Sequence, residues 1–264
     1  TLYKNADWII TMNEKREKIR HGDLLISGKE ILDVGTDLEK KYEGTLKIDH
    51  VVEAEGTVIL PGFVNVHHHT WQSLIRNIQA TRGLKLEPWL TVMYEIYKDL
   101  NTDVARAGVY SGLGDMLKTG CTTSNDLWYP HPVGVKYLVD AEIEAAAEIG
   151  IRFHPTRGFH SVPSSIVPPE VVDTKESVVE DTIRLVKKYH DRSRFSMCQV
   201  GIAPSIAQYE TEDIIEAVVD LAEEYDIMVH GHLAESQHEV EYTLKTWGCR
   251  PFEWFKRHRL LGKR

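Results

Sequence analysis

Cysteine is scarce in this sequence, with only three among 264 residues. Cys121, Cys198 and Cys249 are odd in number and widely spaced, so they can form neither a disulfide framework nor a CxxC zinc site. The lack of a CxxC motif also excludes the zinc deaminases that bind their metal through H-x-E and P-C-x-x-C motifs. Few, widely spaced cysteines are typical of a reducing compartment, and we expect a cytoplasmic protein.

Long hydrophobic runs and an excess of positive charge are missing as well. No apolar run approaches the roughly 18 to 20 residues that a transmembrane helix needs, and residues 1–12 do not resemble a signal peptide. The formal net charge of -9 repels phosphate backbones. The basic run at residues 256–263 is typical of a solvated helix end. We therefore expect no membrane and no nucleic-acid partner, while the oligomeric state stays open, a homo-oligomer included.

The hydrophobic pattern changes near residue 57. Residues 1–56 consist of short strand patterns separated by turn-prone polar segments, with no long helical period. From residue 57 onward, short apolar strands alternate with helical patterns. The strand candidates are residues 58–66, 122–125, 151–154, 199–203 and 227–232. We expect a small β domain at 1–56 and an α/β domain at 57–264, since a chain with 42% hydrophobic residues can bury a full core.

This alternation predicts a parallel sheet with helical crossovers, either an open doubly wound sheet or a closed barrel of eight β/α units. A β/α barrel builds its active site at the C-terminal ends of its strands, whereas an open sheet usually has a glycine-rich phosphate loop after its first strand. Here the first strand candidate ends in histidines, so the barrel is favoured. Polar residues at or just past the strand ends agree with this choice: His67, His69, Asn125, Asp126, His154, Arg157, His232 and Glu235. Taken singly, Asn125, Asp126 and His154 are more typical of caps or buried hydrogen-bonding groups.

Three consecutive histidines, His67, His68 and His69, close the first strand candidate. Side chains alternate along a strand, so His67 and His69 point the same way, roughly 6 to 7 Å apart at the backbone, while His68 points toward the helices. Two neutral imidazoles on one face can bind a divalent ion, although a lone HxH is about as typical of a wet strand end. A second cluster, HGHLAE at residues 230–235, ends another apolar run. Together the two clusters favour a metal site.

These segments resemble the amidohydrolase superfamily, in the branch of the cytosine, guanine and 8-oxoguanine deaminases and the triazine hydrolases. The pieces come in the family's order and cover nearly the whole chain. The resemblance implies an α/β fold, a (β/α)8 barrel with a small N-terminal β-sandwich, of which this chain holds about the first five β/α units. The motifs that carry it are LPGFVNVHHH (60–69) with Gln72 and Arg76, GCTTSND (120–126), RFHPTRG (152–158), HGHLAE (230–235) and WGCRP (247–251).

The resemblance implies that His67, His69 and His232 bind one divalent metal ion, zinc first and iron as the alternative. It also implies that Glu235 carries protons. Physical chemistry agrees, because an ion bound by imidazoles lowers the pKa of water from about 15.7 toward neutrality. A carboxylate three residues past His232 can take the water proton and deliver it to a departing amine.

By the same resemblance, Gln72, Arg157 and Trp89 are expected to orient a planar heterocycle. His230 shares the inward face with His232, one layer deeper in the barrel. We interpret His230 as a core or supporting histidine rather than a ligand.

The chain departs from the family pattern in two places. Leu127 stands where the branch often has a histidine after the strand-two aspartate, which leaves the substrate contacts open. The sequence ends at Arg264, before the sixth-strand histidine and the eighth-strand aspartate that binds the metal in the family. Because barrel closure needs eight strands, we expect the chain to be part of one nearer twice as long, and to be inactive alone.

The resulting hypothesis is a metal-dependent aminohydrolase, a hydrolase acting on carbon–nitrogen bonds other than peptide bonds. We expect it to convert an amino-substituted purine, pterin or triazine to the oxo compound with release of ammonia, an 8-oxoguanine-like purine first. One alternative is a triazine or other hydrolase that displaces chloride or an alkylamine. Another is an inactive binding scaffold, since loss of the aspartate would impair water activation, and a metal analysis would separate it from an enzyme.

Overall fold

The computed structural model describes residues 1–262, and the chain divides into two compact units between Phe63 and Val64. The predicted domain boundary lies seven residues earlier, after residue 56. Residues 57–63 contribute a short strand to the first unit, which accounts for the difference.

The first unit is one mixed sheet of five strands, in the order β3-β2-β1-β4 with β5 also paired to β1. Its β1-β2 and β2-β3 pairs are antiparallel, while β4 and β5 run parallel to β1. The expected small β domain is therefore present as a sheet with two small apolar clusters. Its elements are β1 (Leu2–Ile10), β2 (Lys18–Ser27), β3 (Glu30–Gly35), α1 (Leu38–Lys41), β4 (Val51–Glu53) and β5 (Val58–Ile59).

The second unit contains a four-stranded sheet in the order β6-β7-β8-β9, in which β7, β8 and β9 pair in parallel. The crossover helices pack against one another, α3 on α4 and α5 on α6. The strands are β6 (Phe63–Asn65), β7 (Cys121–Trp128), β8 (Arg152–Phe159) and β9 (Gly201–Pro204). The helices are α2 (Leu86–Tyr97), α3 (Thr102–Lys118), α4 (Leu138–Ile149), α5 (Lys175–Tyr189), α6 (Glu212–Tyr225), α7 (Gln237–Trp247) and α8 (Pro251–Arg257). This is the predicted partial β/α barrel.

The helix ends follow local sequence signals. Asn101 caps α3 by accepting hydrogen bonds from the amides of Asp103 and Val104, and Thr174 caps α5 by accepting from Ser177. Gly150 ends α4 with a φ of 78°, a left-handed conformation that favours glycine.

Two strand predictions need correction. Residues 58–66 do not form one strand, because Pro61 has a fixed φ and no amide hydrogen to donate to a ladder. Val58–Ile59 pairs with β1, and the chain resumes as β6 beyond Gly62.

Residues 227–232 form an extended segment beside β9 rather than a regular strand. Ile202 donates to the carbonyl of Met228 at 3.0 Å, His230 donates to the carbonyl of Ile202 at 3.0 Å, and His232 donates to that of Ser205 at 2.9 Å. These bonds hold the segment parallel to β9 and fix where His230 and His232 lie.

A large apolar core lies between the second sheet and its helices, and its biggest fully buried side chains include Trp71, Trp128 and Phe153. In the part of the chain that the structure describes, no helix is both long enough and apolar enough to cross a membrane.

Candidate metal centre and substrate pocket

Three predicted ligands, His67, His69 and His232, converge on one point of the second unit. One ligand atom from each lies within 4.8 Å of the other two. The ring centroids of the three histidines are 4.9 to 5.2 Å apart. His68 lies on the opposite face, where its Cε1 is 3.6 Å from the position that a Cβ on Gly112 of α3 would occupy. The alternation along residues 67–69 is thus the one that the sequence predicts.

Backbone carbonyls orient two of these rings. The Nδ1 atom of His69 lies 2.7 Å from the carbonyl oxygen of Leu127, and the Nδ1 atom of His232 lies 2.9 Å from that of Ser205. A carbonyl oxygen can only accept, so each Nδ1 carries the hydrogen and each Nε2 presents a lone pair. Burial lowers the pKa of both imidazoles, most strongly that of His69. Both rings are therefore held in the neutral form that binds metals.

The two Nε2 atoms of His69 and His232 lie only 3.2 Å apart. With both Nδ1 atoms protonated, neither Nε2 has a hydrogen to share, so their lone pairs face each other. Two nitrogens bound to one tetrahedral zinc ion at 2.0–2.1 Å would lie about 3.3 Å apart. The donor set therefore fits a divalent metal ion.

His230 supports the third ring rather than joining the cluster. Its Nε2 lies 2.7 Å from the Nδ1 of His67, and the two rings stack with centroids 5.0 Å apart. Burial lowers the pKa of His230 to about 4, so the ring is neutral. The contact engages the Nδ1 of His67 and not its Nε2, as expected of a supporting histidine.

A cavity of about 310 Å³ opens beside the histidines and contains most of the predicted site. Its lining combines His69 and His232 with Gln72, Trp89 and Glu235. These side chains come from three separate parts of the chain. The structure therefore brings together two metal-ligand candidates, the proton-carrier candidate and two substrate-binding candidates.

Glu235 reaches this cavity through a turn in the backbone. Ala234 has a φ of 55°, a left-handed conformation that side chains other than glycine seldom adopt. The amide of Glu235 donates to the Glu239 carboxylate at 2.8 Å, which holds the turn against α7. Burial raises the pKa of Glu235, while the nearby His67 opposes this shift. A carboxyl group with a raised pKa can both accept and release a proton near neutral pH.

Gln72 and Trp89 both line the cavity. Gln72 follows the histidines on a short 3-10 turn, and its amide nitrogen donates to the hydroxyl of Tyr97 at 3.0 Å. That bond uses the amide nitrogen of Gln72 and restrains the side chain at the cavity wall. Trp89 belongs to α2 and offers an aromatic surface to a planar ring.

Arg157 does not lie with the other predicted site residues. Its guanidinium is buried, 2.8 Å from Asp173 and 2.9 Å from Asp181, on the helix side of β8. His154 and Thr156 belong to the alternate set of β8 side chains, and they line the inner side of the sheet. Since strand side chains alternate, Arg157 faces away from the cavity. We correct its role from substrate binding to a structural ion pair.

His160 is a pocket residue that the sequence reading missed. It is only 1% exposed, lines the cavity, and its Nε2 lies 2.5 Å from the hydroxyl of Tyr94. A sequence signal was available, because His160 continues the inward series His154, Thr156, Gly158. Tyr129, Gln208 and Tyr209 also line the cavity and carry no motif of their own.

Comparisons of the sequence with known proteins agree on one family. The sequence model of the amidohydrolase family matches residues 58–257. The chain is 31% identical to 8-oxoguanine deaminase of Pseudomonas aeruginosa over 215 residues, 80% of this chain and 48% of that protein. It is 31% identical to 5-methylthioadenosine/S-adenosylhomocysteine deaminase of Bacillus cereus over 255 residues, 96% of this chain and 54% of that protein. It thus spans about half the length of the curated relatives it matches.

Solved structures agree on the fold. Atrazine chlorohydrolase TrzN from Arthrobacter aurescens, complexed with zinc, superposes with a TM-score of 0.88 at 24% identity, covering 98% of this chain and 58% of that one. Guanine deaminase from C. acetobutylicum, with guanine in its active site, gives a TM-score of 0.85 at 19% identity, covering 100% of this chain and 60% of that one. The predicted barrel fold is confirmed, and the chain belongs to the amidohydrolase family.

Proposed function

We propose that this chain carries the metal-binding and proton-transfer part of an aminohydrolase that replaces an amino group on a planar heterocycle with oxygen. The observation that supports this most strongly is the 3.2 Å approach of the His69 and His232 Nε2 atoms in a cavity that also contains Glu235. The rings are already oriented by backbone carbonyls, so a metal ion would find its ligands preorganised.

Zinc is the ion that we propose for His67, His69 and His232, with iron as the alternative. Imidazole nitrogens suit both metals, and atrazine chlorohydrolase TrzN, a structural neighbour, has been solved in complex with zinc. When bound, such an ion lowers the pKa of a water molecule toward neutrality and supplies a nucleophile at ordinary pH.

Glu235 would carry the protons of the reaction. Its position in the cavity, beside His232 in sequence, suits acceptance of a proton from the attacking water. The raised pKa of this carboxyl group then favours delivery of the same proton to a ring nitrogen or to the departing amine. One residue would thus serve in turn as base and as acid.

Gln72 and Trp89 would orient the heterocycle in this cavity. The amide oxygen of Gln72 can accept a hydrogen bond from the amine that is to leave, and the face of Trp89 can stack on the ring. The favoured substrate is an 8-oxoguanine-like purine, because 8-oxoguanine deaminase and guanine deaminase are both among the relatives.

A second candidate is hydrolysis of a triazine with loss of an alkylamine or chloride. The chain is 27% identical to hydroxydechloroatrazine ethylaminohydrolase of a Pseudomonas species over 272 residues, 99% of this chain and 56% of that protein. The same water attack serves both reactions, so the leaving group distinguishes them.

The test uses the complete open reading frame that contains these 264 residues, purified and analysed for bound metal. We expect about one equivalent of zinc or iron, and release of ammonia from 8-oxoguanine, guanine, isoxanthopterin, cytosine or a hydroxylated aminotriazine. Ammonia from none of them, together with alkylamine or chloride release from a triazine, would favour the second candidate. A protein that binds no metal would support a binding scaffold and overturn both.

A further inference from the structure

A row of aromatic rings in contact runs along the cavity from the histidine cluster to Tyr209. The ring centroids of His69 and Tyr129 are 5.2 Å apart, those of Tyr129 and His160 are 5.3 Å apart, and those of His160 and Tyr209 are 5.4 Å apart. All four side chains line the cavity. A planar heterocycle with one edge at the histidines would lie along this row, with its opposite edge near Tyr209.

Two polar side chains at the Tyr209 end of this row have atoms without hydrogen-bond partners. Gln208 is 6% exposed and Tyr209 is 5% exposed, and both belong to the 3-10 turn Ala207–Tyr209 that follows β9. Within residues 1–262, neither the Oε1 of Gln208 nor the hydroxyl of Tyr209 has a hydrogen-bond partner. Buried polar atoms are nearly always paired. Two unpaired ones that line the same cavity are typical of a site whose partner is a ligand.

The turn that carries them is held rigidly. The amides of Ser161 and Val162 donate to the carbonyl of Tyr209 at 2.9 and 3.0 Å. The hydroxyl of Ser161 donates to the buried carboxyl of Glu210 at 3.0 Å and accepts from the amide of Thr211 at 2.8 Å. Gln208 and Tyr209 are therefore fixed in place by the loop that follows β8. Their free polar atoms cannot be attributed to a mobile segment.

We propose that Gln208, assisted by Tyr209, determines substrate specificity by binding the heterocycle edge that faces away from the histidines. This rests on the proposed function and deepens it. The amide of Gln208 can accept from a ring N–H and donate to a neighbouring oxo group. The preferred substrate would therefore carry an N–H beside a C=O on its distal ring. A purine with an 8-oxo group presents that edge, whereas guanine presents C–H in place of the oxo carbon.

The burial of the unpaired Gln208 amide also leads to a prediction about stability. Replacing an unpaired buried amide with an apolar side chain of similar size removes an unsatisfied group and should leave folding intact. Gln208→Met should therefore unfold at the same temperature as the wild type or a higher one. A purely structural glutamine would give the opposite result.

The experiment measures binding of uric acid and xanthine by calorimetry, with the complete reading frame and with zinc supplied. These two ligands differ in the oxo group of the five-membered ring, and neither carries an exocyclic amine, so binding is tested independently of deamination. We expect the wild type and the matched control Gln79→Met, at an exposed glutamine, to bind uric acid at least tenfold more tightly than xanthine. Gln208→Met should reduce that ratio to near one, and Tyr209→Phe should reduce it partly.

Turnover provides the second measurement. The ratio of kcat/KM for 8-oxoguanine over guanine should fall at least tenfold in Gln208→Met, through KM more than kcat. An unchanged ratio in this variant, or a lowered unfolding temperature with equal loss of both ligands, would overturn the role of Gln208. Wild-type protein that prefers uric acid through Gln208 but releases no ammonia would support this inference while overturning the proposed deaminase activity.

Discussion

The Nε2 atoms of His69 and His232 face each other at 3.2 Å although 163 residues separate them in the sequence. Each ring is fixed from behind by a carbonyl, that of Leu127 for His69 and that of Ser205 for His232. Two lone pairs at this distance repel each other, and a cation between them would convert the repulsion into binding. This relationship leads to the first prediction.

His69→Ala should weaken zinc binding by at least 10²-fold, because one of three imidazole ligands is removed. The matched control is His68→Ala, whose side chain points to α3 and which should keep the wild-type zinc affinity. Calorimetric titration of zinc into metal-free protein gives both numbers. Equal losses in the two variants would show that the alternation along residues 67–69 does not define the site.

Glu235→Gln should retain the metal and the fold but lose on the order of 10² to 10⁴ in turnover, because glutamine cannot transfer a proton. Metal content, unfolding temperature and kcat of the complete reading frame measure these effects. Glu241→Gln, at an exposed position on α7, serves as the control and should remain active. Near-normal kcat in Glu235→Gln would remove this residue from the mechanism.

A buried acidic pair should contribute a loss of stability between about pH 4 and pH 7. Asp126 and Glu142 are fully buried and both accept hydrogen bonds from Thr70. Burial raises the pKa of Asp126 to about 7, and it raises the pKa of Glu142 well above its usual value. A carboxyl with a raised pKa in the folded state keeps its full stability below the unfolded pKa, and loses it as pH rises toward the folded pKa.

Urea unfolding of the wild type and of Glu142→Gln at pH 4, 5.5 and 7 measures this contribution, which is at most about 1.4 kcal/mol per pH unit for each group. The stability of Glu142→Gln relative to the wild type should rise over this range, since its amide oxygen can still accept from Thr70 and has no proton to lose. Glu180→Gln, on the exposed side of α5, should keep the wild-type profile. Profiles of wild type and Glu142→Gln that run parallel would contradict the prediction.

Arg157→Ala should destabilise the fold by about 3–5 kcal/mol, because two carboxylates would lose their buried partner. Asp173 and Asp181 both contact this guanidinium within 3 Å. Urea denaturation measures the loss, and Arg82→Ala at an exposed position should change stability little. A fully stable Arg157→Ala variant with a raised KM would instead restore Arg157 to substrate binding.

Local periodicity accounts for what could be predicted of the metal site. The alternation of side chains along a strand predicts His67 and His69 on one face and His68 on the other. The three-residue spacing from His232 to Glu235 predicts that Glu235 lies past the strand end. Gln72, on the 3-10 turn that follows the histidines, and Trp89, on α2, also line the cavity.

Arg157 shows where the same reasoning failed. The motif RFHPTRG suggested a polar strand end, but the face of each residue depends on the register of β8 against β7, and one step reverses it. Pairing of Asn125 with His154 puts the even-numbered residues of β8 inward. The odd-numbered Arg157 therefore meets Asp173 and Asp181 instead of substrate.

The sequence by itself determined the family motifs, the β/α order and the alternation of His67, His68 and His69, because each depends on neighbours within a few positions along the chain. That His232 joins His67 and His69 was implied by the family resemblance. Only the tertiary structure decided that Gln208 and Tyr209 share a cavity with His232, and that Arg157 does not. These residues come from loops after different strands, and their meeting depends on strand register and on backbone bonds between loops. No local pattern encodes such contacts, since the free energy that selects them comes from packing the whole unit.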